Sequence, residues 1–163
     1  MRKTTNPQMM LGQLDISAIE FDLRSRDETP KLLMGLQYIY CTADIRKEVF
    51  KILEGIVPAG TDANNGRPGM LLWQILVLGT LRLNCNWDYD KVKEIADNHK
   101  KVRQMLGHSD YTDGYLYPLQ TIKDNVSLFT PEILKKINEV VVKAGHKLVK
   151  KTTRQEVVAI ALS

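Results

Sequence analysis

The chain has 163 residues, 44% of them apolar and 26% charged, a composition typical of a folded globular protein. This length fits one domain with tails, which buries roughly 68–70% of its unfolded surface without disulfides or metals. Cys41 and Cys85 stand alone without CxxC spacing, which argues against a zinc site and indicates reduced thiols in a cytoplasmic protein. The net charge of +4 is uneven, because residues 131–163 hold seven Lys or Arg and only three Glu. A basic end of this kind fits contact with a polyanion, and equally a solvated surface.

The first 60 residues predict an N-terminal arm followed by two helices. Residues 19–24 alternate between apolar and charged side chains, and this period of two fits either a short strand or an extended arm. Thr29-Pro30 predicts a helix start with Thr29 as N-cap. A second amphipathic helix restarts at Thr42 and ends near Gly55. Residues 59–69, rich in Gly, Asn, Asp and Pro, are predicted to be a loop.

Residues 70–83 are predicted to form the central helix of the protein. Ten of these fourteen residues are apolar, and a helix that is apolar on nearly all sides is surrounded by other elements. The run is too short to span a bilayer and contains Gln74 and Arg82, so no membrane association is expected. Leu76, together with Trp87 and Ile95 further along, is predicted to lie in the core.

Two shorter helices are predicted directly after this apolar one. Asp88 is the expected N-cap of an amphipathic helix over residues 89–98, and residues 100–106 form a short cationic helix that ends at Gly107. A long helix, a short break and a second helix are the parts of a helix-turn-helix. The sequence therefore predicts such a unit over residues 70–98.

The remainder of the chain predicts a loop and two more helices. Residues 108–118 are polar and rich in tyrosine, residues 119–126 fit a short helix, and Thr130-Pro131 starts a helix with an apolar stripe that Gly145 closes. The predicted class is mainly α, a compact multi-helix domain containing a helix-turn-helix-like unit. Its organisation is an extended arm over residues 1–28, a helical domain over 29–149 and a basic tail over 150–163.

The sequence contains none of the motifs that would indicate an enzyme. Asp88 and Asp90 are better explained as acidic groups at the positive end of a helix dipole than as metal ligands. His99, His108 and His146 lack the i, i+4 pairing or carboxylate partners of a ligand set, and the GRPGM segment lacks the lysine of a phosphate-binding loop. We therefore predict a protein without catalytic activity, metal or cofactor.

Basic side chains along the helix-turn-helix-like unit suggest contact with nucleic acid. In a helix-turn-helix the second helix enters the major groove, and flanking cations bind phosphates. The alternative is a set of short helices with solvated lysines. Five aromatic residues could stack on bases, although packing against the apolar helix is the stronger expectation: Trp87, Tyr89, Tyr111, Tyr115 and Tyr117. The residues predicted to contact DNA are Arg67, Lys91, Lys93, Lys100, Lys101 and Arg103.

Two segments also resemble a known family. The first runs from GRPG through the apolar helix MLLWQILVLGTLRL and the helix KVKEIADN to the Leu-Gly at 106–107, and the second is DNVSLFTPEILKKINEVVVKAGHKLVKK. In their order and spacing they resemble the N-terminal domain of bacterial insertion-sequence transposases of the DDE type (InsH-like). The likeness extends over about residues 20–150.

This resemblance implies binding of the terminal inverted repeats of the element, double-stranded DNA, by the present domain. In the family, an RNase H-like core with three carboxylates then cleaves and transfers strands. Here the residues after Lys151 are TTRQEVVAIALS, and no aspartate follows Asp124. The expectation is thus a DNA-binding portion truncated before its catalytic core. The alternatives are a helical module that forms a homo-oligomer or docks on full-length transposase to modulate it, and a non-functional remnant.

Overall fold

The computed structural model describes residues 14–56, 69–109 and 113–151, with side chains as far as Gly145. Within these ranges the chain forms a 3-10 turn and seven α-helices and contains no strand, which confirms the mainly α prediction. The 3-10 turn comprises Ile16–Ala18. The helices are α1 (Thr29–Cys41), α2 (Ala43–Glu54), α3 (Leu72–Cys85), α4 (Tyr89–Asn98), α5 (Lys100–Met105), α6 (Leu119–Val126) and α7 (Pro131–Lys151).

Helix α3 is the central element, and it contacts α1, α2, α4 and α6. Nine of its fourteen residues are buried, as expected for a helix that is apolar on nearly every side. Leu76 is fully buried, which confirms its core assignment, whereas Trp87 and Ile95 are half-buried at the margin of the core. The helix begins two residues later than predicted, because Leu71 adopts an extended conformation and its N–H donates to the side chain of Gln74.

The polar groups at the start of α3 bind the end of α5. The indole Nε1 of Trp73 donates to the carbonyl of Met105 at 2.8 Å, and Nε2 of Gln74 donates to the carbonyl of Leu106 at 3.1 Å. Carbonyls at a helix end lack partners within the helix, so these bonds satisfy groups that burial would otherwise leave costly. They hold α5 at a defined place beside α3.

One glycine in α3 allows an aromatic ring to approach the helix backbone. A Cβ at Gly79 would lie 2.5 Å from both Cγ and Cδ1 of Phe129, a residue that is 1% exposed. Phe129 lies between α6 and α7 in the chain. The absence of a side chain at Gly79 therefore sets how closely the α6–α7 connection packs on the central helix.

The described part of the N-terminal segment, residues 14–28, is anchored to the helical core, whereas residues 1–13 of the predicted arm lie outside the described residues. Ile16 and Ile19 are buried, and Nε2 of Gln37 donates to both of their carbonyls at 2.8 Å. Residues 19–24 contain no strand. Thr29 is the first residue of α1 instead of its N-cap, and its N–H donates to the carboxylate of Asp27 at 3.0 Å.

Helix α7 continues beyond the glycine that was predicted to end it. Thr130 accepts a hydrogen bond from the N–H of Ile133 at 3.4 Å, which confirms the predicted start. Gly145 lies within the helix, which ends at Lys151. A glycine costs only about 1 kcal/mol relative to alanine inside a helix, so it does not by itself end one. Most of the predicted tail, residues 152–163, lies outside the described residues.

Over residues 14–56, 69–109 and 113–151, no helix combines the length and the apolar composition that crossing a bilayer requires.

Candidate nucleic-acid interface

A three-residue turn joins α3 to α4 and fixes their relative orientation. Asn86 has a φ of 54°, the left-handed conformation that asparagine tolerates better than most residues. The N–H of Trp87 donates to the carbonyl of Arg82 at 3.1 Å, and Oδ1 of Asp88 accepts from the N–H of Lys91 at 2.8 Å. The N-cap role predicted for Asp88 is confirmed. The guanidinium of Arg82 lies 4.4 Å from the ring centroid of Tyr89, which adds a cation–π contact across the turn.

The two lysines of α4 that were predicted to contact DNA both pair with carboxylates of the same helix. Nζ of Lys91 lies 3.6 Å from Oε2 of Glu94, and the two side chains are 43% and 61% exposed. Nζ of Lys93 lies 2.5 Å from Oδ2 of Asp97, whose side chain is only 6% exposed. The charge of Lys93 is therefore largely neutralised by a buried partner. The ion pair of Lys91 is more exposed and weak, so Lys91 can exchange Glu94 for another anion at little cost in free energy.

The outward face of α4 is not basic. Asp90, Glu94 and Asn98, which follow one another at intervals of four residues, are exposed along it. A phosphate approaching this face would meet two carboxylates. Helix α4 thus lacks the cationic surface that its lysine content suggested.

Arg103 also binds within the molecule. Its Nη1 donates to the carbonyl of Ala96 at 3.0 Å, and its Nη2 donates to the carbonyl of Asp113 at 3.0 Å and lies 4.0 Å from the carboxylate. The side chain is 14% exposed. Arg103 joins α4, α5 and the following loop, so its described contacts are structural.

Lys100 and Lys101 differ from the other predicted cations. Lys100 is exposed and Lys101 is half-buried at the first two positions of α5. None of the ion pairs within the described ranges involves either lysine. Arg67 lies outside the described residues. Of the five predicted contact residues that the structure describes, Lys100 and Lys101 are therefore the two without an ion pair or a described internal hydrogen bond of the side chain.

His99 fixes the start of α5 directly before these lysines. Its Nδ1 accepts from the N–H of Val102 at 3.3 Å, an N-cap role that requires this nitrogen to be unprotonated. Burial lowers the pKa of His99, although the charge of Asp27 acts in the opposite direction. A lowered pKa favours the neutral ring near pH 7 and so preserves the cap.

A buried hydrogen-bond network, absent from the sequence predictions, holds the loop over residues 113–118. Nδ1 of His108 lies 2.6 Å from Oδ2 of Asp113, and Nε2 lies 2.6 Å from the hydroxyl of Tyr117. Since an ionised carboxylate only accepts, Nδ1 carries a proton, and in the neutral ring Nε2 accepts from Tyr117. The N–H of Tyr117 in turn donates to Oδ1 of Asp97 at 2.8 Å. The network therefore links the loop to α4 as well as to α5.

The ionisation of this network follows from its contacts. Burial acts to raise the pKa of Asp113, but hydrogen bonds from His108 and from the N–H of Tyr115, together with the charge of Arg103, hold it below its ordinary value. Burial raises the pKa of Tyr117, so its hydroxyl remains a donor. Asp113 is thus an anion surrounded by donors, and the arrangement favours one conformation of the loop.

The aromatic residues divide between the core and the surface. Tyr117 is 2% exposed, in agreement with the expectation of packing, whereas Tyr115 is 49% exposed. The Tyr115 ring stacks on His108 with centroids 6.0 Å apart and meets Tyr117 edge-on at 5.0 Å. Leu116 beside it is 59% exposed. This loop therefore places two large apolar side chains in solvent on a hydrogen-bonded base.

The chain was compared with known proteins. No protein-family model, no curated protein and no solved structure matches it.

Sequence reasoning missed the ion pairs and the network for different reasons. The pairs of Lys91 and Lys93 stand at i, i+3 and i, i+4 on a helix, a spacing that predicts pairing and was available in the sequence. The partners of His108 lie five and nine residues away across a loop, where no regular period relates position to proximity. Only the fold identifies those contacts.

Proposed function

We propose that this chain binds double-stranded DNA as the N-terminal portion of an insertion-sequence transposase, which its resemblance to that family implies. We further propose that the surface at the start of α5 makes the phosphate contacts. The observation that carries this proposal is the pair Lys100 and Lys101, whose charges no described carboxylate compensates.

Electrostatics favour α5 over α4 for this role. Binding to DNA gains free energy when a protein cation replaces condensed counterions on a phosphate. A lysine already paired with a buried carboxylate, as Lys93 is with Asp97, would have to give up that pair and leave a buried charge uncompensated. Lys100 and Lys101 carry no such cost. A helix-turn-helix made by α3 and α4 then serves to position α5 in this proposal.

Removal of both α5 charges tests this assignment. We expect a Lys100→Ala/Lys101→Ala variant to bind a mixed-sequence duplex more weakly and with a slope of log K against log salt reduced by about 2, because each lost phosphate contact removes roughly 0.9. Fluorescence anisotropy over a series of salt concentrations measures both quantities. Lys93 is unsuited to this test, because its replacement would also destabilise the fold.

The matched control removes two lysines elsewhere. Lys47 and Lys51 of α2 are both exposed, so Lys47→Ala/Lys51→Ala changes the net charge by the same amount. The control variant should retain nearly the wild-type slope. Equal slopes in both double variants would refute the assignment to α5, and no duplex binding by the wild-type chain at low salt would refute DNA binding itself.

A second candidate function, self-association, is favoured by the outer face of α7. Val142 is 56% exposed there, and with Leu134 it lines a groove of about 430 Å³. Lys135, Glu139 and Lys143 flank the groove, so both signs of charge border its apolar residues. An isologous pairing of two copies through this face would cover the exposed valine.

Introducing a charge into this groove tests the second candidate. If two copies pair through α7, Val142→Asp should weaken their association by at least about tenfold, because a charged carboxylate would replace an apolar side chain in the interface and lose its hydration. Sedimentation equilibrium over a range of concentrations measures the change. Leu23→Asp, at an exposed leucine outside α7, is the control. A wild-type protein that stays monomeric at every concentration would eliminate this candidate.

A further inference from the structure

A single residue, His99, separates helices α4 and α5 and caps both of them. Its N–H donates to the carbonyl of Ile95 at 2.9 Å, which closes the last turn of α4. Its carbonyl accepts from the N–H of Arg103 at 2.9 Å, and Nδ1 of its ring accepts from the N–H of Val102 at 3.3 Å. His99 is therefore the C-cap of one helix and the N-cap of the next.

The ring of His99 can cap α5 in only one protonation state. An imidazole nitrogen accepts a hydrogen bond only when it carries no proton, so the capping ring is neutral and bears its proton on Nε2. A protonated ring has two N–H donors and no acceptor, and the N–H of Val102 then loses its partner. Histidine is the side chain whose ordinary pKa lies between pH 5 and pH 8. The cap bond therefore depends on pH because of its geometry.

The charged group that faces His99 from another element is Asp27, in the segment before α1. Burial lowers the pKa of His99, and the charge of Asp27 opposes this effect. The N–H of Thr29 donates to Asp27 at 3.0 Å and lowers the pKa of its carboxyl, so Asp27 is an anion near neutral pH. Since burial outweighs the carboxylate, the neutral, capping ring is favoured there.

Three further polar groups complete this environment. Lys100 and Lys101 follow His99 directly and carry positive charges. Burial, together with the charges of Glu28 and Asp27, raises the pKa of the Cys85 thiol, which therefore stays neutral between pH 7 and pH 4.5. In that range, the groups around the ring that change charge are fewer than those that keep it, and His99 is the histidine among them.

The remainder of α5 is held by bonds that do not involve the ring of His99. Side chains of α3 bind the carbonyls of Met105 and Leu106 at its end, and Arg103 binds the carbonyl of Ala96 in α4. Loss of the cap therefore affects the first turn of α5 and leaves its last turn in place.

We infer that His99 is a pH-sensitive cap, in which protonation of Nδ1 breaks the bond from Val102 and releases the first turn of α5. That turn carries Lys100 and Lys101, so the switch acts on the surface proposed above for phosphate contact, although it does not depend on DNA binding. The folded pKa lies below the ordinary value of about 6.5. The stabilisation by the cap is therefore complete above that value and is lost as the pH falls through the lower folded pKa.

Hydrogen exchange of the Val102 amide tests this cap in the full chain. We expect its protection factor, the intrinsic exchange rate divided by the observed rate, to fall about fivefold as the pH is lowered from about 7 to about 4.5. The amide of Leu76 in α3 reports global unfolding and is the internal reference. His99→Asn keeps a capping oxygen at every pH, so its ratio of Val102 to Leu76 protection should stay constant. A constant ratio in the wild type, or the same fall in His99→Asn, would overturn the switch.

Titration of the His99 ring, followed by NMR, is the second test. Its pKa should lie below about 6.5. Asp27→Asn keeps an oxygen for the N–H of Thr29 but removes the charge that stabilises the protonated ring, so it should lower the pKa of His99 further. A His99 pKa at or above the ordinary value, or one that rises in Asp27→Asn, would refute the inference. Neither test involves DNA, so failure of the switch is distinguishable from failure of the proposed function.

Discussion

Replacement of Gly79 by alanine is expected to lower the free energy of unfolding by about 1–3 kcal/mol, the range for overpacking a well-packed core. The added methyl group would lie 2.5 Å from two ring atoms of Phe129 and 2.7 Å from its Cβ. Such distances require the ring or the helix to move, and Phe129 is 1% exposed with little room around it. Helix propensity alone predicts the opposite sign, because alanine is about 1 kcal/mol better than glycine inside a helix.

Chemical denaturation measures this effect, and Gly35 provides the matched control. Gly35 also lies inside a helix, α1, but a Cβ there meets nothing within 4 Å. Gly35→Ala should therefore stabilise the protein by about 0.4–1 kcal/mol. Adding Phe129→Leu to Gly79→Ala should recover part of the loss, since the two positions are in contact. An unchanged or raised stability of Gly79→Ala would contradict the close packing of this ring on α3.

Replacement of Asp113 by alanine is expected to cost about 2–4 kcal/mol, because it leaves buried partners of a carboxylate unpaired. His108 would lose the acceptor at 2.6 Å from its Nδ1, and the N–H of Tyr115 would lose its bond. Arg103, 14% exposed, would keep only carbonyl partners. Urea denaturation at pH 7 measures the loss. Asp22→Ala, at an aspartate whose side chain is 68% exposed, should change stability by less than about 0.5 kcal/mol.

The effect of Asp113 should depend on pH in a defined direction. Its pKa is lower in the folded protein than in the unfolded chain, so its contribution is complete above the unfolded value of about 3.9 and is lost as the pH falls through the lower folded value. The stability gap between the wild type and Asp113→Ala should therefore narrow as the pH falls below about 4. A gap that stays the same size at pH 3 would contradict an ionised Asp113 at the centre of the network.

Local pattern was sufficient for most of the helices. Helix α4 occupies the predicted residues 89–98, because its apolar positions repeat at helical spacing and Asp88 caps it. Helix α6 likewise coincides with the predicted residues 119–126. The prediction for α7 was wrong at Gly145, where a residue that often ends helices lies within one. Capping residues mark where a helix is able to end, whereas its actual end depends on the surrounding contacts.

The candidate site was predicted less well than the fold, and the lysines show why. The sequence identified Lys91, Lys93, Lys100 and Lys101 as a basic set, but a formal charge does not reveal whether a partner compensates it. Lys93 meets a carboxylate that is only 6% exposed, whereas Lys100 has no ion pair in the described ranges. Burial strengthens the attraction between the two charges of an ion pair and raises the free-energy cost of separating them. The degree of burial depends in turn on how several helices pack together.

By itself, the sequence determined that this protein is mainly helical and that its most apolar segment lies at the centre. Both properties follow from the spacing of apolar residues along a single helix, and this spacing is visible in the local sequence. The tertiary structure alone decided that Arg103 and His108 serve the interior, and that Tyr115 and Leu116 project from a fixed loop. Those outcomes depend on which distant residues meet across the fold, and the α3–α5 contacts made by Trp73 and Gln74 set that geometry.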